Sequence, residues 1–248
     1  MLTSISIAAP AFNEGESIGP LVRGWVEYFQ ARRMPGDYEI VICDDGSWDK
    51  TGLILGQLAQ EFPAVRPCRH AMNQGAAAAL ATAISRTTKD WVLLLDADGQ
   101  YPIENLERLV AAAENAPGVK AFIGFRRSKE DSAFARFGSW ASGWACNWVY
   151  GTRYRDFNCA LKLVQGPLLR SLHLEARGLN YSTEISSKIL ERGERMVEIE
   201  AIHQPRAAGR SHRTLWRGSL HRFFFVLYLG LRQLLRRWKI LRPAGDAT

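Results

Sequence analysis

Trp91-Val92-Leu93-Leu94-Leu95-Asp96-Ala97-Asp98-Gly99-Gln100 decides how this chain folds. Five apolar residues in a row suit a strand covered on both faces, the pattern of a parallel sheet. The run stops at two carboxylates two residues apart, which places the acids where the strand leaves the sheet. Acids so spaced can share one hard cation. Mg²⁺ or Mn²⁺ prefers such oxygens together with substrate phosphates. Asp96 and Asp98 are therefore metal-ligand candidates, with the Gln100 amide oxygen as a third.

Outward from this segment, strand-like and helix-like patterns alternate. Toward the N-terminus, strands are expected at Ile5–Ala9, ending at Pro10, at Tyr38–Cys43 and at Val65–Arg69. Helical spacing covers Ser17–Arg32, Thr51–Phe62 and the alanine-rich Gly75–Arg86. Toward the C-terminus, Ile103–Asn115 reads as a helix and Ala121–Phe125 as a strand. This alternation implies an α/β, doubly wound, mostly parallel sheet flanked by helices. Such sheets bind ligands at the carboxyl ends of their strands. Three polar clusters follow strand ends, Asn13-Glu14, Asp44-Asp45-Gly46-Ser47 and Asp96–Gln100, and topology alone would bring them to one rim. Asp44 and Asp45 suit hydrogen bonds from a base or ribose. Ser47 and Asp49 also suit helix capping, which is the preferred reading for Asp49.

From Ser132 the pattern changes. Trp140, Trp144 and Trp148 recur every four residues, a helix with an aromatic stripe read as core packing, with contact to an apolar substrate tail as the other reading. The last segment is basic. Of 32 basic and 25 acidic residues, ten and one lie from Arg206 onward, leaving 22 and 24 in the near-neutral body. Leu220, Phe224, Leu227, Leu231, Leu234, Trp238 and Leu241 form a seam, with Arg222, Arg232, Arg236, Arg237 and Lys239 off it. That describes a C-terminal basic amphipathic helix, suited to a membrane surface or to docking on the core. Nucleic acid is not an expected partner, because no binding fold accompanies the charge. The expected divisions are 1–219 for the α/β domain, 220–242 for the amphipathic helix and 243–248 for a flexible tail.

Cys43, Cys68, Cys146 and Cys159 form no CxxC pair and read as reduced, partly buried thiols. No signal peptide is expected, since Ser4–Pro10 reads as a strand. Phe223–Leu231 is too short to span a bilayer, which needs about 20 residues. A cytoplasmic protein peripheral to the membrane is the expectation. A dinucleotide-dependent oxidoreductase is disfavoured, because no G-x-G-x-x-G follows the first strand.

Pro10-Ala11-Phe12-Asn13-Glu14, Cys43-Asp44-Asp45-Gly46-Ser47-Trp48-Asp49-Lys50-Thr51, Asn73-Gln74-Gly75 and Asp96-Ala97-Asp98-Gly99-Gln100 stand in the order and spacing of family 2 glycosyltransferases. The chain resembles their dolichyl- and polyprenyl-phosphate sugar transferase branch over residues 4–212. The resemblance implies a GT-A fold and an inverting transfer of a hexose from a GDP- or UDP-sugar to a polyprenyl phosphate. It implies that Pro10, Phe12, Glu14, Asp44, Asp45 and Asp96 surround the nucleotide sugar, with Mg²⁺ or Mn²⁺ held by Asp96, Asp98 and Gln100. Asp98, Arg206 and Asp156 are the implied catalytic residues. Arg126, Arg136, Arg210 and Ser211 are the implied contacts to the acceptor phosphate. Asp156–Lys162 stands where relatives read D-x-x-S/C-G-F-R/K, departing from it at Ala160 and Leu161. Glu198–His212 resembles a strand followed by R-x-x-G-x-S-K, with His212 in place of the lysine. For a glycan, glycolipid or protein hydroxyl acceptor, a transferase needs a base, and Asp156 and Glu184 are the candidates. A non-catalytic nucleotide-sugar or membrane-binding protein is the reading from another class.

Overall fold

A computed structural model of the chain describes residues 2–32, 36–127, 133–175, 180–205, 228 and 230–232, with backbone only for 133–139. Among these residues seven strands form one sheet in the order β3-β2-β1-β4-β6-β5-β7. The N-terminal half alternates as expected: β1 (Ser4–Ala11), α1 (Ile18–Arg32), β2 (Asp37–Asp44), α2 (Thr51–Glu61), β3 (Val65–Arg69), α3 (Ala76–Ser85) and β4 (Trp91–Leu94). β1 pairs in parallel with both β2 and β4, and β2 with β3. Ile5, Ile7, Ile40, Ile42, Val92 and Leu93 are fully buried, so these strands owe their place to burial on both faces.

The chain winds from β1 outward through β2 to β3 and then returns to place β4 on the other side of β1. The point where winding reverses, between β1 and β4, is where an open α/β sheet leaves a crevice at its carboxyl edge.

Pro10 does not end β1, which runs on to Ala11. The ladder shows why this central strand tolerates a proline. The Ala8 carbonyl accepts the Leu95 N–H, so Ala8 faces β4, and strand alternation turns the Pro10 nitrogen to the same side. β4 has ended there, and no ladder bond is lost.

The second half is mixed rather than doubly wound. α4 (Asn105–Asn115) and β5 (Ala121–Arg126) follow the expected order. After α5 (Ala133–Tyr150), β6 (Lys162–Gln165) inserts antiparallel between β4 and β5. α6 (Gly166–Arg170), α7 (Tyr181–Glu191) and β7 (Met196–Ala201) complete the element order, with β7 parallel to β5. β6 is four residues long and opens with a lysine, so no periodicity announced it.

The core-packing reading of the tryptophan stripe is overturned. Trp140, Trp144 and Trp148 are 62%, 62% and 72% exposed. α5 instead buries Ser142 and Cys146, and Cys146 packs with Phe157, Tyr150, Tyr154 and Leu190. Residues 140, 144 and 148 lie on the opposite side of the helical wheel from 142 and 146.

All four cysteines are buried and free. Tyr228 and Gly230–Arg232 are helical, and the Arg232 guanidinium donates to Glu191 at 3.0 Å. The rest of the expected C-terminal amphipathic helix lies outside the described residues. No helix among the described residues is long and apolar enough to cross a membrane.

Candidate functional site

The carboxyl edge around the β1/β4 reversal collects the expected acids. Three loops meet there: residues 12–17 after β1, 45–50 after β2 and 70–75 after β3. Their joining is polar. The Asn13 N–H donates to Ser47 Oγ at 2.9 Å, and the Trp48 N–H donates to Asn13 Oδ1 at 3.1 Å. The Glu14 N–H donates to Thr51 Oγ1, and the Gly15 N–H to Asp49 Oδ2, both at 2.9 Å. Asp49 Oδ1 accepts from the Thr51 N–H and hydroxyl, holding the start of α2. Burial is the largest influence on the Asp49 carboxyl and raises its pKa, but these donors outweigh it and leave the carboxyl below its ordinary value. Asn13 sits in the left-handed region at φ 55°, a conformation asparagine tolerates.

The adjacent acids differ in their partners. Both oxygens of Asp45 accept within the chain: Oδ1 from the His70 ring at 2.7 Å and the Gln74 N–H at 2.9 Å, Oδ2 from the Gly75 N–H at 2.7 Å. Asp45 thus ties Asn73-Gln74-Gly75 to the β2 turn and places a negative charge at the start of α3. His70 continues the chain of contacts to Thr82 Oγ1 at 2.9 Å.

Asp44 Oδ1 accepts the Ser47 N–H at 3.0 Å. Asp44 Oδ2 is buried without a hydrogen-bond donor. Arg69 Nε lies 3.3 Å from it, close enough for charge attraction but without hydrogen-bond geometry. An orphaned buried acceptor of this kind is costly unless a ligand supplies the donor. Phe12 meets Trp48 edge-on at 5.0 Å, and Trp48 is 77% exposed beside this loop. Pro10 and Glu14 are half-buried on the same edge.

Across the reversal, Asp98 is buried and Asp96 half-buried. The Gln100 N–H donates to Asp98 Oδ1 at 3.1 Å, closing the turn on Gly99 at φ +72°. Tyr181, the first residue of α7, donates its hydroxyl to Asp96 Oδ1 at 2.5 Å. The segment after β7 docks here as well. The Gln204 N–H donates to the Gln100 carbonyl at 2.9 Å, and the Asn105 side chain bonds both backbone groups of Ile202. Arg206, Arg210 and Ser211 lie outside the described residues, as does the Arg136 side chain.

Among the described residues no three His, Cys, Asp or Glu side chains converge as a metal cage. Two carboxylates at a crevice fit Mg²⁺ or Mn²⁺ on other grounds, since these ions take few protein oxygens and complete their shell with phosphates and water.

The second pair of expected residues is joined, not spread around a pocket. Arg126 Nε lies 2.8 Å from Asp156 Oδ2 and its Nη2 3.3 Å from Oδ1, a two-pronged ion pair with side chains 15% and 2% exposed. Burial works against the Arg126 charge, yet Tyr101, Asp156 and Cys159 outweigh it and hold the guanidinium above its ordinary pKa. The Asp156 N–H in turn donates to Glu198 at 3.1 Å. Glu184 is buried on α7, 2.9 Å from the Lys188 ammonium.

Sequence reasoning missed Tyr181 and gave Lys162 no role. Lys162 is fully buried in β6, and its ammonium donates to the Cys159 carbonyl and to Ser182 Oγ, the latter at 2.6 Å. Burial lowers its pKa to about 8, against the opposing pull of Cys159, Asp156 and Asp96. Its place at the end of the quoted Asp156–Lys162 stretch was the only signal. Tyr181 had none, because a tyrosine opening a short helix is ordinary.

This arrangement agrees with the comparisons. The model of glycosyl transferase family 2 matches residues 6–169. An undecaprenyl-phosphate 4-deoxy-4-formamido-L-arabinose transferase of Edwardsiella ictaluri is 30% identical over 210 residues, 84% of this chain and 62% of that one. A dodecaprenyl-phosphate galacturonate synthase of Rhizobium johnstonii is 26% identical over 176 residues, 68% of this chain and 50% of that one. The chain therefore spans about half to three fifths of the length of these curated relatives. Among solved structures, mannosyl-3-phosphoglycerate synthase of Rubrobacter xylanophilus superposes with a TM-score of 0.70 at 16% identity, over 99% of this chain and 78% of that one. Glucosyl-3-phosphoglycerate synthase of Mycobacterium tuberculosis, with Mn²⁺, UDP-glucose and phosphoglyceric acid, gives 0.68 at 18% identity, over 92% and 80%. At such identities the likeness shows the fold alone, of GT-A type. The family match covers most of the sheet and the acidic loops after β1, β2 and β4, and on that ground the chain belongs to glycosyl transferase family 2.

Proposed function

We propose that this chain transfers a hexose from a UDP- or GDP-sugar with inversion at the anomeric carbon. The observation that carries the reading is the buried, donorless Asp44 Oδ2 on the same carboxyl edge as Asp96 and Asp98. A nucleobase or ribose supplies the donor that Asp44 lacks. Pro10, Phe12 and Glu14 wall the nucleotide, and Asp45 acts through the backbone by fixing the 70–75 loop. Asp96, Asp98 and Gln100 would hold Mg²⁺ or Mn²⁺, whose role when bound is to neutralise charge on the leaving diphosphate. Tyr181 orients Asp96, and Arg206 donates to the departing diphosphate.

The acceptor has two readings. Polyprenyl phosphate is supported by the relatives, whose names specify undecaprenyl and dodecaprenyl phosphates. A phosphate with a second pKa of about 6 is ionised at pH 7 and needs cations rather than a base. An acceptor hydroxyl is supported by a solved neighbour. The phosphoglycerate in the M. tuberculosis neighbour carries such a hydroxyl. The Arg126–Asp156 pair does not divide the readings, because it engages one expected phosphate contact and one expected base alike. On the phosphate reading Arg136, Arg210 and Ser211 hold the acceptor at the cytoplasmic face of a membrane, which the basic tail meets.

A thermal-shift screen of nucleotide sugars with Mn²⁺ tests the donor, since tight binding raises apparent stability. Labelled donors offered with a short polyprenyl phosphate, and separately with hydroxyl acceptors including 3-phosphoglycerate, divide the acceptor readings. Donor binding without turnover on any acceptor would leave only a non-catalytic binding protein.

A further inference from the structure

We propose that Cys43 and Cys68 form a thiol pair that a hydroperoxide closes into a reversible disulfide directly beneath the nucleotide edge. The two residues are register partners on the neighbouring parallel strands β2 and β3. Both are free and buried, at 0% and 7% exposure. Register partners on parallel strands point to the same face, and neighbouring strands run about 4.8 Å apart. A disulfide needs Cα atoms roughly 4.4–6.8 Å apart and Cβ atoms about 3.5–4.5 Å apart. The backbone spacing therefore suits the bond, and a short approach of the two side chains completes it. β3 is the outermost strand of the sheet among the described residues, so it makes that approach without breaking a ladder on its far side. The strain of the approach makes the bond easy to reduce again.

Reactivity divides the four cysteines in the same way. Burial raises the thiols of Cys146, to about 12, and Cys159, so both stay protonated and inert. Cys43 and Cys68 hydrogen-bond to each other, and that bond is the largest influence on each. It raises Cys43 and lowers Cys68 to about 7, with burial opposing and the charges of Arg86 and His70 helping. Cys68, the more exposed of the two, is the nucleophile. Its thiolate attacks one oxygen of hydrogen peroxide, the O–O bond breaks, and the departing hydroxide takes up the proton that Cys68 released. The Cys43 sulfur then attacks the sulfenic acid on Cys68. An S–S bond forms, the S–O bond breaks, and the oxygen leaves as water with the Cys43 proton. Two thiols are oxidised by two electrons, and one peroxide is reduced to two waters. A dithiol reverses the change by exchange.

The next register pair is Asp44 with Arg69. Asp44 carries the donorless Oδ2, and Arg69 Nη2 donates to the Ser47 carbonyl at 2.8 Å. His70, one residue on, bonds Asp45. Drawing Cys43 and Cys68 together therefore shifts the strand ends that hold both acids, and donor affinity should fall. Only this consequence rests on the proposed function.

The test treats the full wild-type chain with hydrogen peroxide near neutral pH, alkylates the remaining thiols in urea, and maps the peptides by mass. The expected product is a Cys43–Cys68 peptide pair, two hydrogens lighter than its parts and released by dithiothreitol, with Cys146 and Cys159 alkylated. Alkylation of all four cysteines overturns the proposal. So does a link through Cys146 or Cys159, or a sulfinic acid on Cys68 in place of the link. The second measurement is the thermal shift with nucleotide sugars and Mn²⁺. Oxidation should weaken donor affinity about threefold or more, and dithiothreitol should restore it. Peroxide should leave the affinity of Cys68→Ala unchanged. A complete link with undiminished donor affinity would overturn the coupling to the site. The mapping needs no variant, so it decides the matter even if Cys68→Ala fails to fold. A reduced chain that binds no nucleotide sugar would sink the donor reading instead, while the peptide map still decides the disulfide.

Discussion

Asp45 and Asp49, on the β1–β3 side of the β1/β4 reversal, are held in a different way from Asp156 across it. The first two serve the backbone: together they accept four main-chain N–H groups from residues 15, 51, 74 and 75. On the β5–β7 side, charge is matched to charge in the interior, as in Arg126–Asp156. The first arrangement fixes loops and leaves Asp44 Oδ2 for a ligand. The second fixes a buried wall and consumes the residues that the motif alone suggests for substrate. An acid at a strand end therefore means different things on the two sides, and each side fails differently when mutated.

The largest effect falls between them. Asp98→Ala should remove metal-dependent turnover, a loss of more than about 10³-fold or roughly 4 kcal/mol in the barrier, with a melting temperature close to wild type. Activity retained with Mn²⁺ would refute the metal assignment and leave the acids of the first side as the only donor contacts.

Next in size is the buried pair. Asp156→Asn or Arg126→Met alone should cost about 3 kcal/mol in denaturant unfolding, because each strands a desolvated partner. The double variant Arg126→Met, Asp156→Leu should recover much of that loss. If Asp156→Asn instead keeps full stability and donor binding but loses all transfer, the carboxylate is a base and the hydroxyl acceptor gains. The first side predicts a smaller and different loss. Asp45→Asn should cost about 2 kcal/mol, by weakening acceptance from Gln74 and Gly75 and by removing charge from the start of α3. Donor affinity should fall with it, read by nucleotide-sugar thermal shift. Unchanged affinity would show that the 70–75 loop does not shape the donor site.

The same division governs what the sequence discloses. Strands β1, β2 and β4 are apolar, run into acids, and alternate with helices of clear period, so their succession along the chain and their shared rim were legible from Ile5 to Gln100. Beyond Ser132 the signals mislead. The tryptophan spacing of four residues identifies a helix but is silent on which face is covered, and size argued for burial where the fold exposes 62–72% of each indole. β6 is hidden by its brevity and by Lys162, a residue whose burial depends on a carbonyl and a hydroxyl brought from α7 and the preceding turn. Asp156 and Arg126 were each found, but that they spend their charge on one another is a fact of distance, which spacing along the chain does not encode.

Lys162 sharpens the contrast at the smallest scale. Its folded pKa of about 8 lies below its ordinary value of 10.5, chiefly through burial. Above pH 10.5 the lysine is neutral in both states and the burial cost is absent. As pH falls toward 8 the unfolded chain takes up the proton first, so stability is lost across that window and is level below it. The loss is on the order of 1 to 2 kcal/mol between pH 9.5 and 7.5. Lys162→Met carries no such proton, so the gap between wild type and variant in urea should move toward wild type by that amount as pH rises. Other alkaline titrations are shared by both chains and cancel. A gap that stays constant with pH would mean the ammonium is solvated or fully paired, and the β5–β7 wall would then hold its cations as comfortably as the β1–β3 loops hold their acids.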